Sequence, residues 1–205
     1  MSFADDLAAA RVLPVVTAQD VDSTVALTQA LLKGGMRAVE ITLRTDAALD
    51  SIREVKAAVP DVQVAAGTIT NPREMEQAMA AGADFCVSPG ISEALLHCAG
   101  ENNVNFLPGV ATASEVMLGL DFGVGMFKLF PAEAVGGIPL IKSLGGPFPA
   151  ARFCPTGGLT PENFRQYLAL PNVICCGGSW MVSGKLVKGE CWDEIEDLAR
   201  VAMSQ

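Results

Sequence analysis

Eight short apolar runs, each followed by a helix-like stretch, divide this chain almost from end to end. They fall at about residues 11–17, 38–44, 62–68, 85–89, 105–109, 126–132, 151–158 and 173–179. Strands that are apolar on both faces and joined by helices pair in parallel, because each face must be covered. Eight such units point to a (β/α)₈ barrel of the TIM type. A short additional helix, "FADDLAAA", precedes the first strand. At 205 residues the chain is at the low end for this fold, so its loops must be short. An open doubly wound sheet competes, but it wants a glycine-rich turn after the first strand, and "VVTAQD" has none. No linker, charge block or low-complexity run marks a second domain, so one domain is expected over residues 1–205.

Local signals support several of the helices. Asn71 reads as an N-cap, with Pro72 at the first helical position, Glu74 completing a capping box and Gly82 as a stop. Thr112 and Glu115 form a second capping box. Thr160 and Pro161 mark the start of the helix after the seventh strand, and "CWDEIEDLARVAMSQ" closes the chain as a helix.

Composition removes several function classes. A formal net charge of −9 argues against nucleic acid and against anionic membrane surfaces. Any anionic ligand must therefore be held by local groups. The six cysteines form no CxxC pair, and several sit inside apolar runs such as "RFCP" and "VICC". They read as buried thiols in a reducing cytoplasm, not as a disulfide framework or a zinc site. The N-terminal stretch carries acids and no basic region, and no apolar run is long enough to span a bilayer. The single histidine, His97, sits in a helix away from the strand ends, so no metal site and no cofactor are expected.

In such barrels chemistry gathers at the C-terminal ends of the strands. Polar residues inside the apolar strands therefore stand out: Glu40 and Arg44 on the second, Thr68 on the third, Lys128 on the sixth and Thr156 on the seventh. Lys128, in "MFKLFPA", has two readings. It is a buried ion-pair partner of Glu40, or an amine whose apolar surroundings favour the free form that attacks a carbonyl to give a Schiff base. Glu40 is then a proton carrier, a role compatible with pairing to Lys128. Arg44 and Thr68 can bind a substrate carboxylate, although Arg44 also reads as a surface arginine just past a strand. Glu40, Thr42 and Arg44 share a face if the strand runs regularly through them. The glycine pairs in "TGG" and "GGS" follow the last two strands, where this fold recurrently builds a phosphate site. There Ser179 can add a hydroxyl while opening a short helix, "SWMVSG".

The stretches "VEITLRT", "AAGTITNP", "SPGI", "FKLFPAE", "RFCPTGGLTPEN" and "GGSWMV" together resemble the 2-keto-3-deoxy-6-phosphogluconate and 4-hydroxy-2-oxoglutarate aldolases. They occur in order from about residue 14 to residue 182. The resemblance implies a class I aldolase, usually a homotrimer, that cleaves a small phosphorylated 2-keto-3-deoxy sugar acid and releases pyruvate. It implies that Lys128 forms the imine and Glu40 carries protons, with Arg44 and Thr68 on the pyruvate carboxylate. Pro89 would line the site and Phe130 pack beside the lysine. Gly157, Gly158, Gly178 and Ser179 would bind phosphate. Thr156, together with Arg44, favours the gluconate-type enzyme over the galactonate-type, in which an apolar residue replaces the threonine and the arginine is missing.

Overall fold

The structure is a computed structural model and describes residues 2–204. Met1 and Gln205, the two ends of the expected domain and the last residue of the expected closing helix, lie outside the described residues. Helix α1 (Phe3–Ala10) precedes strand β1 (Val12–Val16). Alternation follows through α2 (Val21–Lys33), β2 (Ala38–Thr42), α3 (Ala48–Ala58), β3 (Gln63–Gly67), α4 (Pro72–Ala80), β4 (Phe85–Val87) and α5 (Glu93–Glu101). The fifth run is split into β5 (Phe106–Leu107) and β6 (Gly109–Val110). Then come α6 (Ala113–Asp121), β7 (Met126–Leu129), α7 (Gly137–Gly145), β8 (Arg152–Pro155), α8 (Phe164–Leu168), β9 (Cys176–Gly178), α9 (Gly184–Lys188) and α10 (Trp192–Met203).

All strand pairs are parallel, and the strands form a curled sheet in two pieces. One runs β5-β4-β3-β2-β1-β9 and the other β6-β7-β8. The break in the fifth run falls at Pro108, which has no N–H for a ladder. Its carbonyl still accepts the Lys128 N–H at 2.8 Å. On the other side, single parallel bridges Phe153↔Val173 and Thr156↔Gly177 connect β8 to the run that contains β9.

Two apolar clusters explain why the strands read as unbroken hydrophobic runs. Inside the curl, Leu13, Ala38, Ala65, Phe85, Val87, Leu107, Cys154 and Cys175 pack together. Leu7 and Ala10 of α1 join them, so the extra helix covers the N-terminal ends of the strands. Outside, Val39, Ile41, Val64, Phe127 and Phe153 meet Leu27, Ile52, Met75, Val116, Ile141, Phe164 and Ile195 from the helices. Each fully buried side chain of this size contributes about 1.5–3 kcal/mol, before the entropy of ordering it. The alternation places the polar residues too: on β7, Phe127 and Leu129 face the helices and Lys128 faces inward.

Two expected boundaries shift. The helix after β8 begins at Phe164, with Asn163 as N-cap, and Thr160 and Pro161 lie in the turn before it. Ser179 opens only a three-residue 3₁₀ turn (Trp180–Val182), and the following helix is capped by the Ser183 hydroxyl instead.

Candidate active site

Lys128 is placed by ladder bonds on both sides, opposite Gly109 on β6 and Cys154 on β8. Its side chain crosses the interior to Glu40 on β2. Nζ donates to Oε1 at 3.0 Å and to Oε2 at 3.2 Å. Lys128 is 4% exposed and Glu40 1%. Two charges removed from water to this degree need each other, since losing one partner of a buried pair costs about 3–5 kcal/mol. The ring of Phe130 adds a face to the ammonium, 5.4 Å from Nζ to its centroid. Room for the carboxylate comes from Gly67. A Cβ there would lie 2.2 Å from Glu40 Oε1. Sequence reasoning passed over Gly67, although a glycine inside a strand pattern signals close approach of another group.

Arg44 and Thr68 meet just above this pair. The β2 ladder ends at Thr42, and the Arg44 N–H turns back to the Thr42 carbonyl at 2.8 Å. The expected strand regularity therefore does not extend to Arg44. Thr42 is fully buried, and its hydroxyl donates to the Val16 carbonyl. Arg44 is exposed, and its Nε donates to Thr68 Oγ1 at 3.0 Å. Thr68 holds a backbone φ of +63°. That region is unfavourable for a β-branched residue, and such outliers gather where a side chain must be aimed. The other guanidinium nitrogens of Arg44 have no hydrogen bond to the described residues.

One cleft is lined by Val15, Arg44, Lys128, Phe130, Thr156, Leu159 and the two glycine loops, Gly157–Gly158 and Gly177–Ser179. Thr156 is nearly buried, its hydroxyl donating to the Cys154 carbonyl at 3.3 Å, and Gly177 leaves the space it occupies. Gly157 and Gly158 have φ of +100° and +81°, which glycine alone adopts without strain. Among the described residues the amides of Gly158 and Ser179 donate to no protein group, while Gly157 lies beside the parallel bridge Thr156↔Gly177. Unpaired N–H groups converging on a cleft suit an anion. Pro89 does not line this cleft. It sits to the side, its backbone against Gly109, where a Cβ would come within 2.3 Å of the Pro89 carbonyl.

The remaining candidates are placed elsewhere. His97 lies on α5 with its ring edge-on to Phe122, centroids 5.0 Å apart. Cys154, Cys175 and Cys176 are buried. Burial and its hydrogen bond to Cys154 hold the Cys175 thiol well above its ordinary range, the hydrogen bond being the larger effect. Among the described residues no group of three His, Cys, Asp or Glu could hold a metal ion, and no helix is long and apolar enough to cross a membrane.

Comparison with known proteins gives this geometry a lineage. The profile of the KDPG and KHG aldolase family matches residues 4–198. A 2-dehydro-3-deoxy-phosphogluconate aldolase of Pseudoalteromonas atlantica is 47% identical over 94% of this chain and 90% of its own length. A KHG/KDPG aldolase of Escherichia coli is 45% identical over 94% of this chain and 90% of its own length. Among solved structures, a KDPG aldolase from Legionella pneumophila, with pyruvate captured as a covalent carbinolamine, superposes with a TM-score of 0.97. It is 39% identical and covers 100% of this chain and 99% of its own. The matched span takes in every strand end that contributes to the cleft, and on these grounds the chain belongs to the KDPG and KHG aldolase family.

Proposed function

We propose that this protein is a class I Schiff-base aldolase that reversibly cleaves 2-keto-3-deoxy-6-phosphogluconate to pyruvate and glyceraldehyde 3-phosphate. The observation that carries the reading is the buried Lys128–Glu40 pair at the base of a cleft whose rim offers unpaired amides. The relatives support it: they are named for this activity, and the Legionella pneumophila enzyme holds pyruvate as a carbinolamine.

The chemistry follows from the placement. A proton passed from Lys128 to the adjoining Glu40 carboxylate leaves a free amine to attack the C2 ketone. Glu40 returns the proton to the carbinolamine oxygen, and water leaves to give the iminium. The C3–C4 bond then breaks, its electrons moving into the iminium as an enamine while the C4 hydroxyl loses its proton to a base. Protonation of the enamine at C3, through Glu40, and hydrolysis release pyruvate and restore the amine. Arg44, steadied by Thr68, holds the substrate carboxylate, with Phe130 flanking the reacting carbons and Thr156 closing the wall beside them, while Pro89 stays to the side of the cleft. The phosphate rests on the Gly157–Gly158 loop and on Gly178 and Ser179.

Several coarser features fit the same reading. A single (β/α)₈ ring is supported by β5 and β6 being halves of one run and by the bridges from β8 to the β9 run. Both arcs share one inner cluster, which supports a single domain over the chain. Met117, Leu120 and Phe122, exposed on and just after α6, support burial in a homotrimer. Reduced cysteines fit a cytoplasmic enzyme. A second reading, preference for 4-hydroxy-2-oxoglutarate with glyoxylate as the other product, is favoured by the dual name of the Escherichia coli relative. A phosphate-binding isomerase on the same scaffold would have no use for the amine.

Borohydride reduction in the presence of pyruvate tests the mechanism. Peptide mapping should find the reduced pyruvate adduct on Lys128 and on no other lysine. Full retention of activity after that treatment would discard the imine.

A further inference from the structure

The Gly157–Gly158 loop, with its free Gly158 amide, needs a support that keeps it turned to the cleft. The loop after β7 is hydrogen-bonded to it along its length. Ala132 N–H donates to the Thr156 carbonyl at 2.8 Å, and Glu133 N–H to the Gly157 carbonyl at 3.1 Å. The Glu133 side chain lies directly against Gly158, where a Cβ would come within 2.7 Å of its Cβ and Cγ. The Glu133 carboxylate in turn accepts a hydrogen bond from the hydroxyl of Tyr167 on α8. Tyr167 is fully buried, and Gly137 is what makes room for its hydroxyl, since a Cβ there would lie 2.7 Å from that oxygen. Burial and the adjoining carboxylate keep the phenol protonated and donating. The carbonyl of Gly158 is held from the same side by Asn163 Nδ2 at 3.3 Å.

We propose that Tyr167 and Glu133 form a latch between α8 and the β7 loop that fixes the Gly157–Gly158 loop in its anion-binding arrangement. Both are positioning residues for phosphate recognition. Neither lines the cleft, and neither touches Lys128 or Glu40 in the structure. Glu133 is held at two points, by its backbone to Gly157 and by its side chain to Tyr167. Its aliphatic stem then forms the wall on which Gly158 rests. Removing the hydroxyl frees the carboxylate, which is otherwise exposed to water, and the stem no longer has one position. The buried phenyl group of Phe in place of Tyr167 keeps the core filled, so the loss is confined to the latch.

The proposal rests on the reading that the cleft binds a phosphorylated substrate, and the experiment separates the two. Steady-state constants are measured for wild type, Tyr167→Phe, Glu133→Ala, Glu133→Gln and the double variant Tyr167→Phe/Glu133→Ala. The substrates are 2-keto-3-deoxy-6-phosphogluconate and 4-hydroxy-2-oxoglutarate, with inorganic phosphate as inhibitor. The latch predicts that Tyr167→Phe and Glu133→Ala each raise KM for the phosphorylated substrate about tenfold, the order expected for losing one hydrogen bond to a charged group. The inhibition constant of phosphate should rise in parallel, with kcat on both substrates and KM for the non-phosphorylated one preserved. Glu133→Gln, which keeps an acceptor oxygen for the phenol, should recover most of the loss, and the double variant should be no worse than either single one. Equal losses on both substrates, no loss, or no recovery by Gln would overturn the latch. A wild type that neither prefers the phosphorylated substrate nor is inhibited by phosphate would overturn the phosphate reading itself, and the latch with it. Should Tyr167→Phe fail to fold, the Glu133 pair, on an exposed side chain, decides the matter alone.

Discussion

Lys128 and Glu40 each account for the other's burial. The amine could not sit 4% exposed beside the ring of Phe130 without an acceptor, and the carboxylate at 1% could not do so without a donor. Of the two readings open for "MFKLFPA", the ion pair is present in the structure, and the proposed mechanism needs the nucleophile to arise from that same pair by proton transfer to Glu40. Glu40→Gln keeps the volume and an acceptor oxygen and removes only the ability to take that proton. It should lower kcat by about 10²–10⁴-fold, the range for a positioned acid–base group, with a smaller effect on KM. The measurement is steady-state cleavage beside borohydride trapping, which should still find Lys128 but more slowly. An unchanged kcat would remove Glu40 from proton transfer. Gly67 could not be read in this way beforehand. Its importance lies in the empty space beside Glu40 Oε1, and that space belongs to a neighbouring strand.

Elements show where sequence logic holds and where it fails. The front helix runs over Phe3–Ala10 as "FADDLAAA" suggests, Asn71 caps α4 and Thr112 with Glu115 forms the expected box on α6, whereas the Glu74 carboxylate takes the Thr70 N–H and hydroxyl instead of closing a box on Asn71. Such signals are local, complete within four residues. The split of the fifth run at Pro108 and the short 3₁₀ turn after Ser179 were not legible in the same way. Both depend on what the neighbouring strand offers. The Tyr167–Glu133 contact lies further still from the sequence, because it joins residues from two different β/α units. At this scale Asp20 carries a further prediction. It caps α2 by accepting the Ser23 N–H at 2.8 Å and the Ser23 hydroxyl at 2.7 Å, and the backbone bond, then the hydroxyl, pull its carboxyl below the ordinary value. A depressed folded value means that the stability is present above the unfolded value and is lost as pH falls through the folded one. Asp20→Ala should thus cost about 1 kcal/mol at neutral pH, the usual loss of an N-cap. The gap from wild type should narrow below about pH 4, where the unfolded carboxyl takes up its proton. Thermal midpoints of the two proteins against pH would show it. A gap that stays constant to low pH would mean that the charged form is not what caps the helix.

On the scale of the whole molecule, the cysteines report how the layers are joined. Cys154 and Cys175 point into the inner cluster that α1 closes, whereas Cys86 and Cys176 lie in the outer layer between strands and helices. Cys191, at the start of α10, is the most accessible of the six. Reaction with an alkylating agent needs a thiolate that solvent can reach. Burial pushes the Cys86 thiol up to about 12 and raises Cys176 as well, and the bond to Cys154 together with burial raises Cys175. Burial also raises Cys98, which borders a surface cavity. Iodoacetamide at neutral pH should therefore mark Cys191 first and Cys98 slowly. Cys86, Cys154, Cys175 and Cys176 should react only as the molecule opens, and all four at one shared rate if inner and outer layers unfold as a single cooperative unit. Timed alkylation read by peptide mass spectrometry distinguishes the outcomes. A faster Cys154 and Cys175 would mean that the interior beside Lys128 opens while the helical layer stays closed. The two layers would then be separate in stability, and the burial that holds Lys128 against Glu40 would rest on the inner cluster alone.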